Sequence, residues 1–266
     1  MLYLCIPSHN EASTVGLLLW KVRRTFQSFP REYELLVVDD GSTDDTAERL
    51  EAYGRALPLT VVRHGQQHGY ARTLEELLRL AVERTDRPKR DAAIVLHADF
   101  AHGPEFLPEI VKRLESGADL VVTRASLQGE PSRGYRWARR GARWLLRGIH
   151  IPEVRDPVSA FTAIRLVSLR NALRARESPF LSEEGWAANA ELIARIAPHA
   201  RRIESVEVVE RHDLKQRPSR VDPWATARML WQAGGRLRVR RERQPAPGKG
   251  QGDGPAERME LEEATR

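Results

Sequence analysis

Within the first 125 residues, short apolar runs alternate five times with stretches of helical periodicity, and few architectures accept that order. The runs are Leu2 to Ile6, Tyr33 to Val38, Leu59 to Val62, Ala92 to Leu96 and Asp119 to Thr123. Between them, Val15, Leu18, Leu19 and Val22 mark one face of a helix, and further helices are expected over Thr43 to Leu57, Tyr70 to Glu83 and Glu105 to Ser116. Ser42 with Asp45 reads as a capping box for the second of these. Strands separated by helices pair in parallel through right-handed crossovers, so the pattern predicts an open α/β sheet covered by helices.

The pattern changes after residue 125, with a basic helix over Arg133 to Arg147, a strand near Phe161 to Ile164 and a helix around Trp186 to Ile196. A strand near Ile203 to Val209 and a helix from Pro223 to about Gln232 follow. From Gln244 onward, Pro, Gly, Gln and charged residues dominate, which predicts a disordered tail. The expected division is a domain over 1–221, with halves 1–125 and 126–221, then an amphipathic basic helix over 222–243 and the tail over 244–266. With 41% hydrophobic residues the chain can bury a large core. No run of about 18 apolar residues exists, so no membrane-spanning helix is expected. The chain enters a strand without a basic leader, which predicts a cytoplasmic protein, free or peripheral on the cytosolic face of a membrane. Its single cysteine, Cys5, lies in the first apolar run and reads as a buried structural thiol.

Chemistry-bearing residues gather where the runs stop. Ala92 to Leu96 ends at His97 and Asp99, and Gly103-Pro104 forces a turn before the next helix. Tyr33 to Val38 ends at Asp39-Asp40-Gly41-Ser42. In open α/β sheets, ligands bind outside the carboxyl ends of the strands, so these acids are expected to converge on one crevice. Asp39 and Asp40 suit hydrogen bonds from a base or ribose, or simply a turn and helix cap. His97 with Asp99 suits a divalent metal that bridges two phosphates. Imidazole serves manganese better than magnesium, which makes manganese the preferred ion of the two.

Five ordered motifs bear a resemblance to a known family. Ile6-Pro7-Ser8-His9-Asn10-Glu11-Ala12 resembles the Pro-Thr-Tyr-Asn-Glu opening of family-2 glycosyltransferases, and Val37 to Thr46 matches their Val-Asp-Asp-Gly-Ser-Thr-Asp almost letter for letter. Gln67-His68-Gly69-Tyr70-Ala71 stands at Asn-x-Gly-Tyr/Lys-Gly, His97-Ala98-Asp99 at Asp-Ala-Asp, and Asp156 to Phe161 at Asp-x-x-Ser-Gly-Phe. The resemblance covers about residues 2 to 220 and is nearest the dolichyl-phosphate mannosyltransferase and polyprenyl-phosphate glycosyltransferase branch. It implies a GT-A, Rossmann-like fold with a mixed, mainly parallel sheet flanked by helices. It also implies inverting transfer of one sugar from a GDP- or UDP-sugar to a polyprenyl phosphate or similar phosphorylated acceptor.

By that resemblance, Pro7, Ser8, Glu11, Asp39, Asp40, Ser42, Ala98 and Asp99 bind the nucleotide-sugar, with Arg217 and Ser219 closing over it from the segment Leu214 to Arg220. His97 and Asp99 hold the metal, and His97 stands where the family has aspartate. Arg124, Arg133, Arg136 and Ser159 receive the acceptor, because a guanidinium fork pairs bidentately with phosphate oxygens. Asp156 and Asp99 are the catalytic candidates. The Gln-x-x-Arg-Trp signature of processive synthases is absent, which favours a single transfer.

The net charge of +6 and pI near 9.8 suit nucleic acid, anionic lipid or phosphorylated substrates, and distribution decides among them. Basic residues concentrate over Arg133 to Arg147 and Arg236 to Arg243 beside tryptophans, outside any recognisable nucleic-acid module. Such helices can lie among anionic headgroups, so peripheral membrane contact is expected and nucleic-acid binding is not. Two other readings keep the donor site: transfer to a soluble acceptor, and a non-catalytic sugar-nucleotide-binding protein of the same fold.

Overall fold

The computed structural model of the chain describes residues 1–99, 102–175, 178–212 and 222–241. Arg217, Ser219 and the tail over 244–266 lie outside the described residues. In chain order the elements are β1 (Leu2–Ser8), α1 (Val15–Ser28), β2 (Tyr33–Asp39), α2 (Thr46–Gly54), β3 (Leu59–Arg63), α3 (Tyr70–Arg84) and β4 (Ala92–Val95). A 3-10 turn (Pro104–Phe106) leads into α4 (Leu107–Glu115), β5 (Leu120–Gln128), α5 (Arg133–Leu145), β6 (Ile149–His150), β7 (Thr162–Arg165) and α6 (Leu166–Arg174). Then come α7 (Gly185–Ile196), β8 (Ile203–Arg211), α8 (Pro223–Arg236) and β9 (Val239–Arg240).

The described strands form a seven-stranded sheet in the order β3-β2-β1-β4-β7-β5-β8, with β6 and β9 as a separate two-stranded ladder. Neighbouring strands run parallel except at β7, which is antiparallel to both β4 and β5. The sheet is therefore mixed and mainly parallel. Periodicity predicts that β4 and β5 exist but not that a strand 40 residues later separates them, because pairing partners are not encoded in a local pattern. The helix α6 was also not expected from the sequence pattern.

Alternation along the strands divides the core in two. Cys5, Leu36, Val38, Val95 and Val122 face α3, α6 and α7, while Leu4, Ile6, Leu35, Val37, Ile94 and Val121 face α1 and α4. Each fully buried aliphatic side chain stabilises the fold by about 2 kcal/mol. Burial pushes the Cys5 thiol up, out of the reactive range, as its place in an apolar run predicts.

A third cluster joins α5, α7 and α8 through Ala142, Leu146, Val158, Ala187, Ala190, Leu230 and Ala233. Glycines let α5 and α8 approach closely: a Cβ on Gly134 would stand 2.6 Å from Pro223, and one on Gly234 would overlap the Leu145 carbonyl. Gly234→Ala is accordingly expected to lower stability by about 2 kcal/mol, or about 5 °C in Tm. Gly235→Ala, one residue on and in open space, is expected to leave Tm unchanged or raise it slightly, and thermal unfolding of the pair measures the difference.

Candidate functional site

In the parallel run β2-β1-β4 the pairing sets Ser8 beside Asp39 and Cys5 beside Val95. Asp39 and Asp40 therefore end one strand, His97 and Asp99 follow another, and the end of β1 lies between them on the same carboxyl edge. This is the arrangement expected of one crevice.

The segments leaving β1 and β2 are laced together. Ser8 O accepts from Asp40 N at 2.9 Å, Ser42 Oγ from Asn10 N at 2.8 Å, Asn10 Oδ1 from Thr43 N at 2.8 Å and Thr46 Oγ1 from Glu11 N at 2.8 Å. Asp44 accepts from Ala12 N at 3.2 Å and Thr46 N at 3.1 Å. These contacts replace the expected capping box. Helix α2 starts at Thr46 rather than Thr43, and the Ser42 hydroxyl serves Asn10 instead of a helix N-terminus. Asn10 sits at φ 53, where its short polar side chain is better tolerated than a branched one. Pro7 and Ser8 are buried at the end of β1, and Glu11 accepts from the Thr14 hydroxyl at 2.8 Å.

Strand alternation sends the two neighbouring acids to opposite faces of the sheet. Asp39 is fully buried on the α2 side; its Oδ1 accepts from Ser42 N at 3.2 Å, and its Oδ2 has no hydrogen-bond partner among the described residues, with Arg63 at 3.7 Å. Asp40 faces α3 and accepts from His64 Nδ1 at 2.8 Å, His68 N at 2.8 Å and Gly69 N at 2.9 Å. Burial works against its charge, but these donors prevail and hold its pKa below the usual carboxylate range.

His64 was not singled out by the sequence reading, although it directly follows a strand and precedes His68 by one helical turn's spacing. Its Nδ1 meets Asp40 and its Nε2 meets Glu76, both at 2.8 Å. Carboxylates only accept, so both ring nitrogens must donate and the ring is an imidazolium. Burial lowers its pKa, but Asp40 and Glu76 outweigh burial and raise it. Asp40, His64 and His68 form a group whose ligand atoms lie within 4.8 Å of one another, yet a doubly donating His64 fits a charge clamp rather than a metal ligand. A raised histidine pKa contributes stability fully present below the unfolded value, about 6.5, and lost as pH rises through the folded value. The Tm gap between the native chain and His64→Gln is thus expected to be largest near pH 6 and to shrink toward pH 9, which a pH series of melts checks.

At the end of β4, Ala98 is buried while His97 and Asp99 are half-buried. His97 Nε2 meets the Tyr70 hydroxyl at 2.9 Å, Tyr70 donates to Asn189 Oδ1 at 2.6 Å, and Asn189 Nδ2 donates to Val158 O at 3.3 Å. Tyr70 has one proton and gives it to Asn189, so His97 donates through Nε2. Burial first and Asp99 second push the Tyr70 hydroxyl upward, keeping that proton in place. The chain of contacts runs from α3 through α7 to the β7 approach, and no sequence pattern predicted Tyr70 or Asn189 as partners of His97.

Beyond β5 lies a buried charged cluster. Asp156 Oδ2 accepts from Arg139 at 2.6 Å and from Ala125 N at 3.4 Å. Arg139 also reaches Glu210 at 3.5 Å, and Glu210 accepts from Tyr135 at 2.5 Å and from His212 at 3.0 Å. Burial opposes both charges, but Asp156 and Glu210 raise the Arg139 pKa, while His212, Arg139 and Tyr135 depress that of Glu210. His102, buried 4.0 Å from Glu210, is pushed down to about 4 by burial and is neutral at physiological pH. Ser159 is buried and shares a 2.6 Å hydrogen bond with Thr123. Among the expected acceptor arginines, Arg124 is exposed and paired with Glu207 at 3.2 Å, and Arg133 and Arg136 lie on the exposed face of α5. Arg139 takes the place beside Asp156 instead. Its signal was available, since it shares a helix face with Tyr135, Ala138 and Ala142.

Comparison with known proteins agrees with this geometry. The family model described as Glycosyl transferase family 2 matches residues 3–188. The chain is 30% identical over 168 residues to a dolichol-phosphate mannosyltransferase of Pyrococcus furiosus, covering 60% of this chain and 45% of that protein. It is 32% identical over 124 residues to an undecaprenyl-phosphate 4-deoxy-4-formamido-L-arabinose transferase of Photorhabdus laumondii, covering 45% and 35%. The chain thus spans less than half the length of these curated relatives. Its fold matches the glucosyl-3-phosphoglycerate synthase of Mycobacterium tuberculosis at a TM-score of 0.60 and 22% identity, covering 88% of this chain and 81% of that one. A family model that spans residues 3–188, together with a mainly parallel sheet whose motif residues line one carboxyl edge, establishes that this chain belongs to glycosyl transferase family 2 and has the GT-A fold.

Proposed function

We propose that the protein is an inverting, non-processive glycosyltransferase that moves one sugar from a GDP- or UDP-sugar to a polyprenyl phosphate or similar phosphorylated acceptor at a membrane surface. The single observation that carries the reading is the position of Asp99. Its charge acts on Tyr70 and His102 in the half 1–125 and on Tyr135 in the half 126–221, so it is felt across the junction of the two halves that would bring donor and acceptor.

In this reading Pro7, Ser8, Glu11, Asp39 and Ser42 form the nucleoside side. Asp40 acts indirectly, by holding the backbone of residues 68 and 69 in place. Asp99 and His97 would hold a divalent ion, and this donor set of one imidazole and one carboxylate fits manganese better than magnesium. Such an ion neutralises the negative charge that develops on the leaving diphosphate. His97 is oriented for it through Tyr70, as ligating imidazoles usually are through their second nitrogen.

An acceptor phosphate is already ionised and needs orientation more than deprotonation. Arg124, Arg133 and Arg136 at the mouth would draw it in, and Arg139 would hold the Asp156 carboxylate in place beside its path. Ser159, tied to Thr123, shapes the floor of that path. Two named relatives act with a polyprenyl phosphate by their printed names, and no helix among the described residues is long and apolar enough to cross a membrane. The acceptor would therefore be met from the membrane surface, on its cytosolic face.

The test is transfer of radiolabel from a panel of GDP- and UDP-sugars to a lipid-extractable product, with manganese, magnesium or chelator, against a water-soluble phosphorylated acceptor in parallel. Label in the lipid phase that depends on manganese supports the proposal. Label only in the soluble product moves the acceptor to the alternative class, and nucleotide binding with no transfer to either would leave a non-catalytic binder.

A further inference from the structure

Four of the large apolar side chains that the fold leaves exposed are tryptophans on two adjoining helices: Trp137 and Trp144 on α5, at 74% and 73%, and Trp224 and Trp231 on α8, at 87% and 52%. A folded protein rarely keeps four indoles in water, and clustered apolar exposure marks a contact surface. The helices bury their small residues, Ala142 and Ala233 among them, in the same cluster with α7, so their remaining faces turn outward together. Close glycine contacts and the parallel ladder that pairs Ile149 with Val239 lock the two into one plate.

What surrounds the tryptophans names the partner. Every exposed residue of α5 is arginine or tryptophan: Arg133, Arg136, Trp137, Arg140, Arg143 and Trp144. On α8, Trp224, Arg228 and Trp231 recur at helical spacing. Elsewhere, several exposed arginines are neutralised locally, as in Arg31 with Glu115 at 2.6 Å, Arg113 with Glu109 at 2.8 Å and Arg124 with Glu207 at 3.2 Å. Among the described residues, the arginines of the α5 face and Arg228 have no such carboxylate partner. A surface that gathers arginines without carboxylate partners around exposed indoles is complementary to a phase that is anionic at its boundary and apolar beneath. The amphipathic indole is favoured at that boundary.

We infer that the outward faces of α5 and α8 form a docking plate for an anionic lipid bilayer, with the tryptophans in the headgroup region and the arginines on lipid phosphates. The inference rests on the proposed transfer to a membrane-borne acceptor and adds which surface meets the membrane. It also accounts for the two-sidedness of α5. The helix that would meet the lipid outside carries Tyr135 and Arg139 on its inner face, where they hold Glu210 and Asp156. A phosphate travelling along the bilayer would then reach that cluster over the edge of one helix.

The experiment is flotation of the full chain with vesicles of phosphatidylcholine alone or with 30% phosphatidylglycerol, at low and high salt, with transfer to a short-chain soluble acceptor measured in detergent. The native chain is expected to float with the anionic vesicles and to be released by salt, since exposed charges are screened within about 10 Å at 0.1 M. Each arginine lost near an anionic surface weakens partition about fivefold, so Arg140→Gln with Arg143→Gln and Arg147→Gln should lower it about a hundredfold. Trp137→Ala with Trp144→Ala and Trp231→Ala should lower it at least tenfold, with Tm and detergent activity unchanged. A native chain that stays at the bottom, variants that float as well as it does, or tighter binding to single-stranded RNA than to the anionic vesicles would each overturn the inference. Because flotation needs no turnover, a chain that floats but transfers no sugar would refute the proposed activity and leave the docking plate standing.

Discussion

Asp99→Asn is expected to lower sugar transfer by about a thousandfold while leaving Tm within about 2 °C of the native chain. Removing one preorganised charge or donor from the place where charge develops in a transition state costs 10²- to 10³-fold, about 3–4 kcal/mol, and Asp99 would act both on the cation and, through it, on the diphosphate. The small stability effect follows from its half-buried position and from the near-identical shape of asparagine. The loss should fall mainly on kcat, with donor affinity in chelator nearly unaffected, because the proposed nucleoside contacts are at the ends of β1 and β2 instead. The measurement is transfer rate against donor concentration, with manganese and with chelator. Native-like transfer by Asp99→Asn would remove the proposed mechanism whatever the acceptor.

The second large effect concerns stability. Arg139→Met is expected to destabilise the fold by about 3–5 kcal/mol, about 8–12 °C in Tm, because it strips the cation from between the buried carboxylate of Glu210 and the largely covered one of Asp156. Asp156 would lose its 2.6 Å partner, and Glu210 would keep only Tyr135 and His212. The sign of the pH dependence follows from Glu210, whose folded pKa is depressed below the ordinary value near 4.3. Its contribution is present above that value and lost as pH falls through the depressed folded one. Removing the cation takes away part of that depression, so the gap between native and variant should be widest above about pH 5 and narrow as pH falls below about 4. Arg139→Lys should recover part of the stability, because it restores the charge but not the planar guanidinium. Calorimetry across that pH range decides the matter, and equal Tm values for Arg139→Met and the native chain would mean the cluster is not held by charge.

Both predictions depend on which of several similar residues occupies a particular place, and this is where reading the chain as text stops. The arginine run over Arg133 to Arg147 announced a basic helix, and α5 is one. Periodicity could have separated Arg139, on the face of Tyr135, Ala138 and Ala142, from Arg133 and Arg136 on the exposed face. It could not have named Asp156 and Glu210 as the groups waiting for it, because they lie 17 and 71 residues away in the chain. Asp39 and Asp40 show the same division. Their place at a strand end was evident, and period-two alternation already implied that they face opposite ways. That Asp40 ties down His64 and the backbone of residues 68 and 69 required the fold.

The sequence by itself determined the elements and the edge on which the chemistry gathers: apolar runs and helical stripes specify what each segment buries, and strands crossed over by helices present their carboxyl ends on one side. Only the tertiary structure decided that β7 would slip antiparallel between β4 and β5, that Tyr70 and Asn189 would orient His97, and that one arginine would sit between Asp156 and the buried Glu210. The reason is range. Which side of a segment is apolar is written within seven residues, whereas strand partners, hydrogen-bond chains and the field around a charge are properties of segments brought together from far apart.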